Sequence, residues 1–411
     1  MSDPKVTIRM YRMGLGDCHL LTFTPHGGEA RHILIDCGYF PGSRFNGVEI
    51  KDIVADIVRV TDNHLDAIAV SHEHQDHLQG FADGEEQFAA MDKAELWMAW
   101  TEKPGQKILP EKRTMAALEA AAAGLGMAGT REEQQMAAAV EAILGFSEGT
   151  DRTFEMVKSW FPKASRKYWN PGDVVEPEWL PGVRVYVLGP PKDLGMLHKT
   201  TGKKDVQMYE MTAADTGFAA AALEESEPGT LSPFDAKYAR EVLPEGLEKS
   251  YEKDDWRRID NDWMLSAARL ALQIDSYTNN TSLVLAFELK ESGKVLLFVG
   301  DAQIGNWLSW LEVKFAGGGS VTVEELLGRT VFYKVGHHGS HNATLVEGGL
   351  LAMTSGDLHA AIPTNEKWAS DSKSWTMPNA RLFKELKKRC AGPVLRSDKP
   401  ADNPLCIEYE V

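Results

Sequence analysis

Basic charge is in short supply in this 411-residue chain: 44 lysines and arginines face 60 aspartates and glutamates, a net charge of −16 with histidine neutral. Such a surface repels polyphosphate chains and anionic headgroups unless a local basic patch overrides it. The one basic run, Lys384, Lys387, Lys388 and Arg389, has the spacing of a solvated helix face rather than of a nucleic-acid patch. Cysteine is scarcer still. Cys18, Cys37, Cys390 and Cys406 form no CxxC pair, which excludes a disulfide framework. No run reaches the roughly 18 apolar residues that a membrane span needs, and Met1–Lys5 carries no apolar secretion segment. No membrane span and a cytoplasmic location are therefore expected. Hydrophobic content of 43% and charged content of 25% are ordinary for a globular protein. A core can form without a structural staple, so any metal is there for chemistry.

At this length an α/β architecture can remain one domain, here spanning 1–411, if it carries insertions. Short apolar runs predict strands at Val6–Met10, His19–Thr24, His32–Ile35 and Ala67–Val70, the last stopping at Ser71. Further strands are expected at Val183–Leu188, Ser282–Leu289, Val295–Val299 and Thr330–Val335. The pair around Ser292 and Gly293 reads as a hairpin. Alanine-rich and periodic stretches at Met115–Gly124 and Arg131–Phe146 predict a helical insertion over 82–180. A second insertion, over 192–265, combines a long polar loop with a helix at Trp256–Leu272. No internal repeat is visible.

Chemistry concentrates in three places. Ser71-His72-Glu73-His74-Gln75-Asp76-His77 packs three of the 12 histidines and a carboxylate into a strand end. Imidazole and carboxylate are the ligands that suit zinc, with manganese or iron as alternatives, and an incomplete protein shell leaves room for water. His72 and His74 can point at one ion while Asp76 and His77 reach a second. Leu296–Val299 is an apolar strand that ends in Gly300-Asp301, and a carboxylate there can bridge two ions. Lys334-Val335-Gly336-His337-His338-Gly339-Ser340-His341 again follows a strand. His337 is the expected ligand of the second ion. Asp76 is expected to act in catalysis as well as to bind, and His338 and His341 are candidates for contacting substrate oxygens or protonating a leaving group.

Cys18 and Cys37 each adjoin an aspartate, but free cysteines in strands are usually small buried hydrophobes. Trp256, Trp263, Trp307 and Trp310 could line a pocket, although their spacing fits helix packing better.

The three motifs, in this order, resemble the metallo-β-lactamase superfamily, and in detail the metallo-β-lactamase-like domain of bacterial DNA-uptake (competence) proteins. The finer likeness lies in Gly14-Leu15-Gly16-Asp17, Ile33–Gly38, Asn279–Leu285, Gly300-Asp301 and His337–Ser340. It implies a four-layer αβ/βα metallo-β-lactamase sandwich with metals at one edge of the sheets. It also implies that Asp17 and Asp36 lie beneath the metal loop and orient its ligands. The chain departs from the family in two ways. A further histidine often completes the first ion from the middle of such chains; here His198 is the sole histidine between His77 and His337, and a glycine stands near Val187–Pro190. His198, an acid of the middle region, or water is left for that place. Where relatives often have His-Pro before the last helix, this chain has Thr376-Met377-Pro378-Asn379, and a methionine cannot donate a proton.

Together these features predict a hydrolase that uses hydroxide on two divalent ions. His72 and His74 would hold one, Asp76, His77 and His337 the other, with Asp301 between. Esters and phosphodiesters are both within the fold's chemistry. The resemblance favours a phosphodiester and the acidic surface disfavours long nucleic acid, so a small-molecule phosphodiester reconciles them. A nuclease on DNA or RNA, and a non-catalytic metal-binding or di-iron redox protein, are the alternatives.

Overall fold

The computed structural model describes residues 2–106, 150–199, 277–317, 321–373 and 375–411. By its contacts the chain divides into two units. The first comprises Met1–Gln106, Gly149–Lys204 and Tyr277–Val411, and the second Lys107–Glu148 and Asp205–Ser276. The described residues belong to the first unit. The segments of the second fall within or across the insertions expected over 82–180 and 192–265. The helices expected at Met115–Gly124, Arg131–Phe146 and Trp256–Leu272 lie outside the described residues, as do Trp256, Trp263 and the polar loop beyond residue 199.

Two seven-stranded mixed sheets make up the first unit. One contains β1 (Lys5–Tyr11), β2 (Cys18–Thr24), β3 (Arg31–Cys37), β4 (His64–Ala69), β5 (Asp92–Ala99), β6 (Arg166–Trp169) and β14 (Cys406–Glu410), in the order β14-β1-β2-β3-β4-β5-β6. The other contains β7 (Val174–Val175), β8 (Val183–Gly189), β9 (Val284–Leu289), β10 (Val295–Phe298), β11 (Thr330–Lys334), β12 (His359–Ile362) and β13 (Leu395–Arg396), in the order β13-β12-β11-β10-β9-β8-β7. Counted from β14 in the first sheet and from β7 in the second, each has three antiparallel pairings followed by three parallel ones. The halves thus repeat a topology that no sequence periodicity reveals.

Strand alternation explains how both faces of each sheet are used. In β3, Ile33 and Ile35 face an inner core shared with Val185, Phe287, Leu296 and Phe332 of the other sheet. Leu34 faces an outer core with Ile53, Val54 and Ile57 of α1 (Ile50–Val60) and Leu78 and Phe81 of α2 (Gln75–Asp83). On the far side, Leu297 and Tyr333 pack against Trp307, Trp310, Leu326 and Leu386. Helices therefore cover both outer faces, and strands buried on both sides read as unbroken apolar runs. Trp307 and Trp310 are core residues, as their spacing suggested, and their rings lie 4.0 Å apart. Cys18 and Cys37 are fully buried free thiols within the first outer core. Among the described residues no helix is long and apolar enough to cross a membrane.

The strand expectations hold at eight of the fourteen strands among the described residues, including the β9–β10 hairpin. The 82–180 stretch needs correction where it is described, because it contributes β5, β6 and β7. Asp92–Ala99 is built of good helix formers, yet it pairs in parallel with β4 and β6, and sheet context overrides its propensity. The basic run lies in the helix Ala380–Arg389, with Lys384, Lys387 and Lys388 exposed and Lys388 paired with Glu385. It is a solvated helix face.

Candidate metal centre

The motifs converge because they occupy equivalent places in the two halves. Asp36 ends β3 and the His72–His77 loop follows β4; Asp301 follows β10 and His337–His338 follow β11. Both strand pairs are parallel, so all four loops leave carboxyl ends of strands, where open α/β sheets present ligands. The halves meet directly. Leu283 N–H donates to the Ser71 carbonyl at 2.8 Å. A Cβ on Gly300 would lie 2.8 Å from Ser71 Cβ and 3.0 Å from Ser282 Cβ, and its φ of +53° is also one that glycine takes without strain. The Gly-Asp pair is therefore a close-approach point.

Asp76, His77, Asp301 and His338 present ligand atoms all within 4.8 Å of one another. Asp76 Oδ2 lies 2.7 Å from His338 Nε2 and 3.9 Å from His77 Nε2. Asp301 Oδ1 is 3.3 Å from His77 Nε2, and its Oδ2 is 3.7 Å from His338 Nε2. Surrounding groups fix both imidazoles. His77 Nδ1 is 2.8 Å from Asp36 Oδ2, and His338 Nδ1 is 2.8 Å from the Pro363 carbonyl. Those oxygens only accept, so each Nδ1 carries a proton, and each Nε2 faces carboxylate oxygens that draw either a second ring proton or a metal ion. A divalent ion can take the place of those Nε2 protons, since all four ligand atoms lie within reach of one point.

Asp36 also accepts from Ser71 N–H and Ser71 Oγ, both at 2.7 Å, so one buried carboxylate anchors the loop and orients His77. Asp17 N–H donates to the Asp76 carbonyl at 2.9 Å, and Asp17's carboxylate is paired with Lys334. Lys334 is 1% exposed and donates to the Gly300 carbonyl at 2.7 Å and to Asp301 Oδ1 at 3.3 Å. Sequence reasoning gave this lysine no role. Its signal was a charge ending the otherwise apolar β11 just before the second histidine motif.

The group includes His338 where the spacing favoured His337. Both residues have positive φ, 43° at His337 and 51° at His338, and the turn aims His338 at Asp76. His337 instead meets Ser340 Oγ at 2.9 Å and Gln303 Nε2 at 3.3 Å through Nδ1, while its N–H holds Asp301. His338 is thus drawn among the ligands. His341 is exposed and joins no such group. His72 Nε2 and His74 Nδ1 lie 3.0 Å apart, but among the described residues no third side chain completes a group with them. A Cβ on Gly189 would fall 2.1 Å from Asn306 Oδ1, so no side chain fits at Gly189. His198 is exposed and stacked on Tyr277 at 4.4 Å. Met377 lines an open groove of about 590 Å³ with Trp375, Phe45 and Lys399, and the adjoining Pro378 packs on Gly339.

The electrostatics favour a cation. Asp17, Asp36, Asp76 and Asp301 are buried or nearly so, with Lys334 beside them. Burial pushes the Asp17 carboxyl up to about 6 despite Lys334. Burial also opposes ionisation of Asp76 and Asp301, but the neighbouring His77, His338 and, for Asp301, Lys334 hold both below the usual carboxylate range. Burial lowers Lys334, but Asp17 and Asp301 outweigh it and keep the ammonium charged. His77 Nε2, Asp301 Oδ2 and Asp17 Oδ1 are buried without hydrogen-bond partners. They are among ten such atoms in the described residues, and His77 Nε2 and Asp301 Oδ2 belong to the four-residue group. Carboxylate and imidazole donors suit zinc, manganese or iron. The residues present fit a divalent ion.

Beside this centre, His19 is buried with Nε2 unpartnered, and burial holds its imidazole well below the ordinary range. A depressed histidine contributes fully above the unfolded value near 6.5 and costs stability as pH falls below it. His19→Leu is expected to remove that cost. Between pH 7.5 and 5.5 the wild type should lose about 1.4 kcal/mol more than the variant in urea unfolding. Parallel losses would contradict the neutral assignment.

No family model and no curated protein matches the chain.

Proposed function

We propose that the chain is a divalent-metal-dependent hydrolase of the metallo-β-lactamase type, acting on a small phosphodiester or ester. The observation that carries this reading is the meeting of Asp76, His77, Asp301 and His338, from three sequence-distant loops, at one edge of two sheets. The helix–sheet–sheet–helix layering and the motif order support it. When bound, the ion supplies Lewis acidity and an acidified water. The chain's own residues hold its ligands ready. Asp36 fixes the His77 tautomer, the Pro363 carbonyl fixes that of His338, and Lys334 with the His337 N–H pins Asp301. Such preorganisation spares the site reorganisation during reaction. The net charge of −16 favours a small phosphodiester over long nucleic acid.

The test compares wild type with Asp76→Ala on bis(p-nitrophenyl) phosphate and on p-nitrophenyl acetate, with and without chelator. Asp76→Ala is expected to lower turnover by more than about a hundredfold, beyond the ~10–100-fold cost of losing an outer partner of a ligand. Cleavage of the phosphate but not the acetate assigns a phosphodiesterase. Equal rates in both proteins sink the hydrolase reading.

A further inference from the structure

We infer that the groove lined by Trp375 and Met377 seats an aromatic ring carried on the ester group that the substrate keeps. The inference rests on the hydrolase reading above and narrows its substrate class to diesters bearing such a ring. Two segments join the groove to the metal centre. The Pro363 carbonyl accepts from His338 Nδ1 at 2.8 Å, and two residues further on Asn365 lines the groove. Met377 and Pro378 line it from the other segment. A Cβ on Gly339, the neighbour of His338, would lie 2.8 Å from Pro378 Cβ, and Asn379 N–H donates to the Gly339 carbonyl at 2.7 Å. The groove wall thus touches the residue next to a ligand of the proposed ion.

Its walls suit a ring. Phe45, Trp375, Met377 and Pro378 offer aromatic and thioether surface, and both kinds make favourable contacts with an aromatic group. The volume, about 590 Å³, falls in the range of small-molecule sites. Trp375 is 38% exposed yet held in place. Its backbone N–H donates to the Ala369 carbonyl at 2.9 Å, and its ring meets Phe40 edge-on at 5.8 Å, with Trp368 a further 5.2 Å from Phe40. An indole already fixed loses little freedom when a ring stacks on it. The charges around the groove are largely spent: Glu366 and Asp398 share the buried Arg396, and Lys367 pairs with Asp371. The Lys399 ammonium is exposed at the rim without a carboxylate partner among the described residues, so an anionic diester meets a free cation there. The side chains of Met377 and Pro378 have no proton to give a departing oxygen, which assigns the groove to the retained group and not to the leaving one.

The experiment uses the full chain with Zn²⁺ present. It compares kcat/KM for benzyl, cyclohexylmethyl and methyl p-nitrophenyl phosphate, which expel the same group and differ in the one they keep. Binding of p-fluorobenzyl methyl phosphate, which lacks a good leaving group, is followed separately by fluorine NMR. The wild type is expected to favour the benzyl over the methyl ester by about tenfold, mainly through KM, as stacking on one ring supplies. Trp375→Ala and Met377→Ala should each bring that ratio toward one and weaken binding of the fluorinated probe, while Trp375→Phe keeps most of the preference. A merely structural role would lower all three esters alike and would not be rescued by phenylalanine. A wild type that cleaves the methyl ester without preferring the benzyl one, a cyclohexylmethyl ester as good as the benzyl, or a preference untouched by both alanine variants overturns the inference and leaves the hydrolase reading intact. Self-association of the wild type that Trp375→Ala abolishes gives the groove to a second copy and overturns it as well. Probe binding that depends on Trp375, without cleavage of any ester, keeps the groove as an aromatic site and sinks the hydrolase reading.

Discussion

Asp36→Asn is expected to lower divalent-metal affinity about 10–100-fold while leaving the fold in place. The substitution conserves size, and the new amide can still accept from Ser71 N–H, now 2.7 Å from the carboxylate. The change falls on His77. In the wild type, Asp36 Oδ2 accepts a hydrogen bond from His77 Nδ1 at 2.8 Å, which keeps a proton on Nδ1 and leaves Nε2 as the atom that can meet an ion. An amide NH₂ facing Nδ1 donates instead and drives the ring proton to Nε2, the atom meant for the ion. The ligand is present but in the wrong tautomer. A competition titration against a chromophoric chelator measures the affinity, and thermal melting of the metal-free protein checks folding. Unchanged affinity with an unchanged melting curve would show that Asp36 does not act through His77.

Lys334→Met is expected to cost the metal-free protein about 3–5 kcal/mol, the usual result of removing one partner from a buried ion pair. Asp17 and Asp301, each 1% exposed, would then share a dry site without their cation. The paired variant Lys334→Met/Asp17→Leu should regain much of the loss, since replacing a whole buried pair by apolar groups is often neutral or stabilising. Saturating Zn²⁺ should reduce the deficit of Lys334→Met, because an ion bound to the folded state both stabilises it by mass action and neutralises Asp301. Denaturant unfolding of the three proteins, with and without metal, provides the comparison. A single variant within about 1 kcal/mol of wild type, or a double variant worse than the single, would contradict the role given to this lysine.

The sequence carried the parts of the fold whose signal is local. β1, β2, β3, β8, β9, β10 and β11 are rich in Val, Ile, Leu and Phe and stop at turn residues, so apolar runs locate them. β5 was hidden by helix-forming residues, and β7 and β13 are two residues long, too short for any periodicity. The repeat of topology between the sheets lies in strand order, which composition does not encode. At the site, residue type and spacing placed the His72–His77 loop, Asp301 and the second histidine motif. They could not decide between His337 and His338, since that choice depends on consecutive positive φ angles. The role of Lys334 was hidden for a related reason. A lysine in a strand reads as an edge or surface residue until Asp17 and Asp301, far away in the chain, are seen to converge on it.

The most direct measurement is anomalous diffraction from crystals grown with Mn²⁺ or Zn²⁺. The strongest peak should lie among Asp76, His77 Nε2, Asp301 Oδ2 and His338 Nε2, at about 2.0–2.2 Å from nitrogen and carboxylate oxygen for zinc. No peak there, or a dominant peak at residues of none of the three loops, would contradict the account.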